Sequence, residues 1–426
     1  MNKSWLQRTT PIEVIALIFI AYFWGILTVP FHPDESTQLY MSGDLERFFT
    51  NPADLFWTPA ENGGLPERYR LLDAPLTRLL IGLGRIPFGE KPLATDWDWS
   101  KNWADNVDSG AEPGIHLMLV GRLSVIWLFP LMLWTTYQGG KAAGGQRLGW
   151  LTLAFMATNA LVLLHTRRAM AESALLFATT LFIWLALRDK TPAWLLGLSA
   201  ALAFCAKQSA VVLLPVGLLA MLWPGPGSHR FTLRQQVLRL GTYLAAFTLL
   251  VVLFNPWLWR HPIPAVRAAL AARQELAARQ TAEMRVANAD QALDTPGERL
   301  VGTLAQLYFA PPAIWDVGNY TDTLERRADR YLSNPLNKLL RSFIGGGVLL
   351  TLTLLGIVLA LVGIIRLPEQ RRSLLLILTG FGLQLGFQIG FVTLPFQRYV
   401  IPLLPWTGLL MGYALARAIQ LGRRQQ

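Results

Sequence analysis

The chain has 426 residues, 53% hydrophobic and only 15% charged, with 16 tryptophans and a formal net charge of +11. Soluble domains carry roughly 25% charged residues, so an ordinary globular protein is excluded. The charges cluster between apolar runs, each near the ~20 residues that cross a bilayer core, which marks a polytopic membrane protein. The positive balance is then no argument for nucleic acid, because basic residues at cytoplasmic loop ends produce the same excess.

Residues 11–29 read as a retained first span, since no small-residue cleavage site precedes the charges that follow. Next comes "FHPDESTQLY" at 31–40, with two adjacent carboxylates, Asp34 and Glu35. Asp34 has two readings here: the cap of a short helix over 35–49, or a reactive group at the membrane surface. The rest of the loop, to residue 114, holds 14 Asp and Glu against 7 Lys and Arg over its whole length from residue 31. In it "RLLDAPLTRLLIGLGRI" predicts a surface helix over 70–86, from Leu and Ile at three- and four-residue steps. "TDWDWSKNW" suits the bilayer interface.

Counting the first at 11–30, ten spans are expected, the others at 115–137, 148–165, 170–187, 192–206, 208–223, 236–256, 341–365, 373–391 and 396–416. The lone cysteine, Cys205, lies in one of them without a partner, so there is no disulfide framework. A second long loop, 257–340, contains "AVRAALAARQELAARQTAEMRVANADQAL", helical in propensity but Ala-rich and weakly amphipathic. It is either a solvated helix or a mobile lid over a site.

Orientation follows from Lys and Arg in the short connections. Lys3, Arg8, Lys141, Arg147, Arg188, Lys190, Arg230, Arg234, Arg366, Arg371, Arg372, Arg423 and Arg424 all fall on one side when the count is ten. Both termini are then cytoplasmic, in a plasma (inner) membrane, and the two long loops face out. On that outer face other unusual polar groups converge: Arg167, Arg168 and Glu172 in "HTRRAMAES", Lys207 in "FCAKQSA" and Arg398 in "PFQRYVIPLLP". Basic residues at the rim of a span against the positive-inside bias are costly and usually functional. Each alone has a plainer reading, in which Lys207 and the arginines reach to lipid headgroups or Arg167 and Arg168 pair with Glu172.

Carboxylates facing cations at a membrane surface suit the transfer of a sugar from a lipid phosphate to a hydroxyl. The phosphate leaves as an already acidic group that needs charge stabilisation, which Lys and Arg supply. The incoming hydroxyl needs a base on the opposite face of the sugar, and the transition state resembles an oxocarbenium ion. No Gly-rich phosphate loop followed by a helix is present for a nucleotide sugar.

These residues resemble the phospholipid-carrier-dependent glycosyltransferases of the GT-C superfamily, which includes protein O-mannosyltransferases and the aminoarabinose transferase of lipid A. "HPDES" after the first span resembles the family's Asp-Glu motif, and "LLDAPLTRLLIGLGRIPFG" is similar to its HPPLGK stretch. "GRLSVIW" at 121–127 resembles the Arg that opens the second span. "RRAMAESALLF", "AKQSA" and "QRYVIPLLP" are similar to later elements in the same order. The resemblance implies an all-α GT-C fold of about ten transmembrane helices, with two long outer loops carrying short surface helices. It divides the chain into a transferase module (1–256), the second outer loop (257–340) and C-terminal helices (341–426).

It further implies Asp34 as base, with Glu35 beside it in the acceptor site, and Lys207 as a ligand of the carrier phosphate. Arg398 and Arg167 join Lys207 on the phosphate, and Glu172 and Asp73 serve acceptor positioning. Asp73 stands where the family often has His or Lys, and Ala74 replaces a Pro, which leaves Arg70 or Arg78 to take the lost phosphate contact. Glu172 replaces Asp. The partners implied are a polyprenyl-phosphate-linked sugar donor, membrane lipids and an unspecified hydroxyl acceptor, with no nucleic acid. A metal is not required by this logic, His32 and His261 being isolated in the sequence, although some relatives use a divalent ion. The alternative is a transporter or flippase for a lipid-linked or anionic substrate, using Lys207 and Arg398 for binding alone. Against it, Asp34 and Glu35 lie in an outer loop rather than at the midplane, and no internal repeat is visible.

Overall fold

A computed structural model of the chain describes residues 10–59, 64–223, 231–288, 291–316 and 320–424. Lys3, Arg8 and Arg230 lie outside the described residues. Helices make up the regular structure, with no strand among the described residues. Helix α1 (Pro11–Trp24) leads into a long segment holding α2 (Pro33–Met41), α3 (Asp44–Thr50), α4 (Leu65–Leu72), α5 (Leu76–Arg85) and α6 (Trp103–Asp108). The next apolar helices are α7 (Ile115–Ile126), α8 (Leu128–Gly144), α9 (Gln146–Thr158), α10 (Ala160–Thr166), α11 (Ala171–Leu187), α12 (Ala193–Ala206), α13 (Leu213–Leu222) and α14 (Leu233–Phe254). A second long segment carries α15 (Pro262–Ala287), α16 (Pro296–Leu304) and α17 (Thr321–Leu332). Helices α18 (Phe343–Arg366), α19 (Arg371–Phe391) and α20 (Leu404–Arg424) close the chain.

Five helical segments are long and apolar enough to cross a membrane: Ile115–Gly144, Leu233–Phe254, Phe343–Arg366, Arg371–Phe391 and Gln397–Gly422. The pair α9 and α10, bent by 60°, makes a sixth when taken as one span. The four other expected spans are shorter apolar helices, Pro11–Trp24, Ala171–Leu187, Ala193–Ala206 and Gln208–Leu222. Length and composition therefore support five or six crossings, fewer than the ten expected. The bend in the sixth has a local cause: Asn159 leaves the helix and its side chain accepts from the N–H groups of Leu161 and Val162, starting a new helix.

The core forms where α8, α11, α12 and α14 pack in sequence and where α20 packs against α9 and α18. Small residues allow the closest of these approaches. A Cβ on Gly197 would collide with the carbonyl of Tyr243 on α14, and one on Gly356 with that of Leu410 on α20. The outward faces stay apolar, with Ile20, Leu249 and Phe343 among the exposed side chains, as a lipid environment requires. At one end of the bundle Arg372 donates to the carbonyls of Ala186, Ala220 and Trp223, and Arg417 donates to Gln370. Those bonds gather the short basic connections together. The two long segments meet at the other end, where α4 packs against α15.

Two expected outer helices are each broken. The run over 35–49 is split into α2 and α3 at Ser42 and Gly43. The run over 70–86 is split into α4 and α5 by Pro75, which disfavours helical geometry in the residue before it.

Candidate active site

The first turn of α2 sets out the acidic pair. His32 is its N-cap: the ring Nδ1 accepts from the Asp34 N–H at 3.1 Å, and the Glu35 carboxylate accepts from the His32 N–H at 3.1 Å. Asp34 is therefore not the cap. Adjacent positions on a helix diverge by about 100°, so the two carboxylates go different ways. Glu35 turns inward and is fully buried. The Arg122 guanidinium grips it with two bonds, of 2.7 and 2.8 Å, and the Ala169 N–H adds a third at 2.9 Å. Burial alone would raise its pKa, but the Arg122 charge and these bonds hold it below the usual carboxylate value. Arg122 also donates to the carbonyls of Ile26 and Val29, so the pair ties the chain just after α1 to α7. This corrects the acceptor-site expectation for Glu35: its oxygens face the interior and are already engaged.

Asp34 points outward and its side chain is 32% exposed. It pairs with Arg398, whose Nε lies 3.1 Å from the Asp316 carboxylate. Asp316 is in turn 3.3 Å from His32 Nε2. Burial, reinforced by Arg168 and Arg398, keeps the His32 pKa well below its ordinary value, so the ring is neutral. With Nδ1 accepting, its one proton sits on Nε2 and faces Asp316. Burial pushes Asp316 up to about 6, against the fields of Arg168 and Lys207. Asp316 comes from a loop that offered no sequence signal: a lone Asp in "AIWDVGNY" has neither spacing nor apolar context to mark it.

Lys207 stands at the break between α12 and the short turn that follows, where its Nζ pairs with Glu172 at 2.8 Å. It lies 5.5 Å from the centroid of the Tyr399 ring, next in sequence to Arg398. Asp73 is half-buried nearby; burial raises its pKa, opposed by Arg273, Arg78 and Lys207 in that order. Arg273 projects from α15, donating to the Leu72 carbonyl and to Gln208 at 3.1 Å. The Ala-rich helix of the second loop thus lies against the first loop beside Gln208 and Asp73, with most of its residues exposed.

Other expected site residues are placed elsewhere. Arg70 is buried and forked onto Asp44, with Nη2 at 2.7 Å, and Arg78 lies 3.4 Å from the same carboxylate. Both are committed to joining α3, α4 and α5, which corrects their assignment to a phosphate. Arg167 donates to Asn337 at 3.0 Å, to the Tyr331 hydroxyl and to the Tyr22 carbonyl. It joins α1 to the second long segment. The structure therefore brings Asp34, Arg398, Lys207, Glu172 and Asp73 to one end of the bundle, adds Asp316, Arg273 and Tyr399, and removes Glu35, Arg70, Arg78 and Arg167. Among the described residues no group of three or more His, Cys, Asp or Glu side chains is arranged to hold a metal ion.

No protein-family model matches the chain, and no curated protein matches it by sequence. Solved structures do match it by shape. The oligosaccharyltransferase of Archaeoglobus fulgidus in its apo form aligns with a TM-score of 0.53 at 10% identity, over 99% of this chain and 52% of that one. The same enzyme tethered by a disulfide to an acceptor peptide containing the NVT sequon aligns with a TM-score of 0.53 at 12% identity, over 100% of this chain and 51% of that one. The chain thus spans about half the length of these structures. At such identity the likeness is one of fold, shared with the matched half of that oligosaccharyltransferase.

Proposed function

We propose that the chain is an inverting glycosyltransferase that moves a sugar from a polyprenyl-phosphate carrier to a hydroxyl acceptor on the extracytoplasmic side of the membrane. The observation that carries this reading is Asp34, an outward-facing carboxylate held by Arg398 at the same end of a GT-C fold as Lys207. Asp34 takes the proton of the acceptor hydroxyl as its oxygen attacks the anomeric carbon. The bond from that carbon to the phosphate oxygen breaks on the opposite face, its electron pair passes to the phosphate, and the configuration inverts. Lys207 and Arg398 stabilise the charge gathering on the leaving phosphate. Glu172 orients Lys207, and Asp73, with Arg273 beside it, borders the place where an acceptor would enter.

A divalent ion does not fit the central donors. Arg398 lies against both Asp34 and Asp316, so the carboxylates a metal would need already face a guanidinium. The test is incubation of the purified protein, without vesicles, with a radiolabelled polyprenyl-phosphate sugar. Release or transfer of the sugar by the parent, lost in Asp34→Asn, is expected. Donor recovered intact in this assay, together with movement of intact donor across the bilayer once the protein is placed in vesicles, would overturn the reading in favour of a transporter.

A further inference from the structure

His165 lies in the last turn of α10 and is 2% exposed, and neither of its ring nitrogens has a hydrogen-bond partner. Buried polar side-chain atoms are nearly always paired, so an imidazole with two orphaned nitrogens calls for a missing partner. The charged groups that bear on it are Arg168, Lys207 and Arg341, with no carboxylate among them. Further buried donor atoms among these groups are also unmet: Arg168 Nη1 and Arg341 Nε. One acceptor atom, Glu172 Oε2, is orphaned as well, but that carboxylate has Lys207 at its side. The helix bearing His165 packs against the turn Gln397–Tyr399, which places it beside the ring over which Lys207 stands. Lys207 is 23% exposed, so this cation-lined place reaches the surface at that residue.

The geometry points to His165 as a ligand of the donor's phosphate, its ring N–H donating to a phosphate oxygen beside Lys207. An oxyanion is the partner that answers both the unmet donors and the one-sided charge. This rests on the glycosyltransferase reading, since the phosphate is that of the lipid-linked donor. A neutral imidazole supplies direction, while the surrounding lysine and arginines supply charge.

The experiment uses the full chain in nanodiscs, with undecaprenyl phosphate as the probe, inorganic phosphate as competitor and phosphatidylglycerol in the disc as a second source of lipid phosphate. His165→Leu should weaken undecaprenyl phosphate binding about tenfold or more, the loss of one hydrogen bond to a charged group, with melting unchanged or raised. His165→Gln, which keeps a donor, should recover part of the affinity. If His165→Leu fails to fold, imidazole-15N labelling of the parent reports directly, because the chain holds only 5 histidines. The His165 ring signals should then move on adding undecaprenyl phosphate. Parent-like binding by His165→Leu, or static ring signals while the lipid binds, overturns the inference alone and leaves a buried water as the partner. A response to inorganic phosphate or phosphatidylglycerol equal to that for undecaprenyl phosphate overturns the assignment to the donor. A parent that does not bind undecaprenyl phosphate at all overturns both this inference and the glycosyltransferase reading.

Discussion

Arg398 pairs with Asp34 across 364 residues of sequence, joining the start of the last apolar segment to the first turn of α2. Nothing local holds the two together. The contact exists because the helices between them return the chain to the same end of the bundle. Arg398 fixes the Asp34 rotamer from outside, while His32 and the inward Glu35 fix the backbone beneath it. A carboxylate anchored this way keeps one face free, which a base requires.

Asp34→Asn should abolish transfer while leaving the fold intact. Asn keeps the shape, and the helix start depends on His32 and Glu35 instead, so a loss of activity cannot be traced to a lost cap. Removal of a general base typically costs about 10²–10⁴-fold. Single-turnover transfer by a variant with parent-like melting measures it, and a rate near that of the parent would remove Asp34 from the chemistry.

Lys207→Ala should weaken donor binding about ten- to a hundredfold, the worth of one bond to a charged group. It also strands Glu172, which is buried and has one oxygen already without a partner. The double variant Lys207→Ala, Glu172→Gln separates the two effects. It should recover melting temperature but not donor affinity; recovery of both would make the lysine a structural partner only.

Much of this was legible in the sequence. Apolar runs and loop charge mark the helical segments to within a few residues, because burial in lipid is a local compositional demand. Asp34, Lys207 and Arg398 stand out because charge at the rim of an apolar run, away from the basic connections, is unusual. What escaped detection depends on pairing over long separations. Arg122 is 87 residues from Glu35, and nothing in either segment says that one charge will be spent on the other. Arg70 and Arg78 were drawn to a phosphate for the same reason, since Asp44 is an unremarkable acid until the breaks at Gly43 and Pro75 fold it against them. Arg273 was hidden by an alanine-rich helix whose faces hardly differ.

The Glu35–Arg122 pair should matter for stability more than for catalysis. Breaking a buried pair from one side costs about 3–5 kcal/mol, because the partner is left charged and unpaired. Arg122→Met should therefore melt well below the parent, and Arg122→Met combined with Glu35→Leu should recover much of the loss. Thermal melting of the single and double variants decides it. Equal losses that simply add would show that the two side chains do not act together.

The charge pattern of the connections predicts sidedness. A reporter fused after Gln426 should be cytoplasmic, and one inserted near Asn106 should be extracytoplasmic. Accessibility of the two reporters in intact cells measures this. Finding both on the same side would place the acidic outer loop with the basic connections and remove the extracytoplasmic site.

Asp316 should give the protein a distinctive pH response. Its carboxyl is raised from 3.8 to about 6, chiefly by burial. Between those values the folded chain holds a proton that the unfolded chain has released, so stability falls as pH rises from 4 towards 6. The full change is about 3 kcal/mol, from 1.36 kcal/mol per unit, and it is complete above the folded value. Asp316→Asn cannot ionise and should lose this slope, while keeping an oxygen that can face the His32 ring proton. Melting of parent and variant across that interval is the measurement. Parallel curves would mean that Arg398, His32, Arg168 and Lys207 already hold Asp316 ionised throughout, and that its place beside Asp34 is that of a fixed counter-charge.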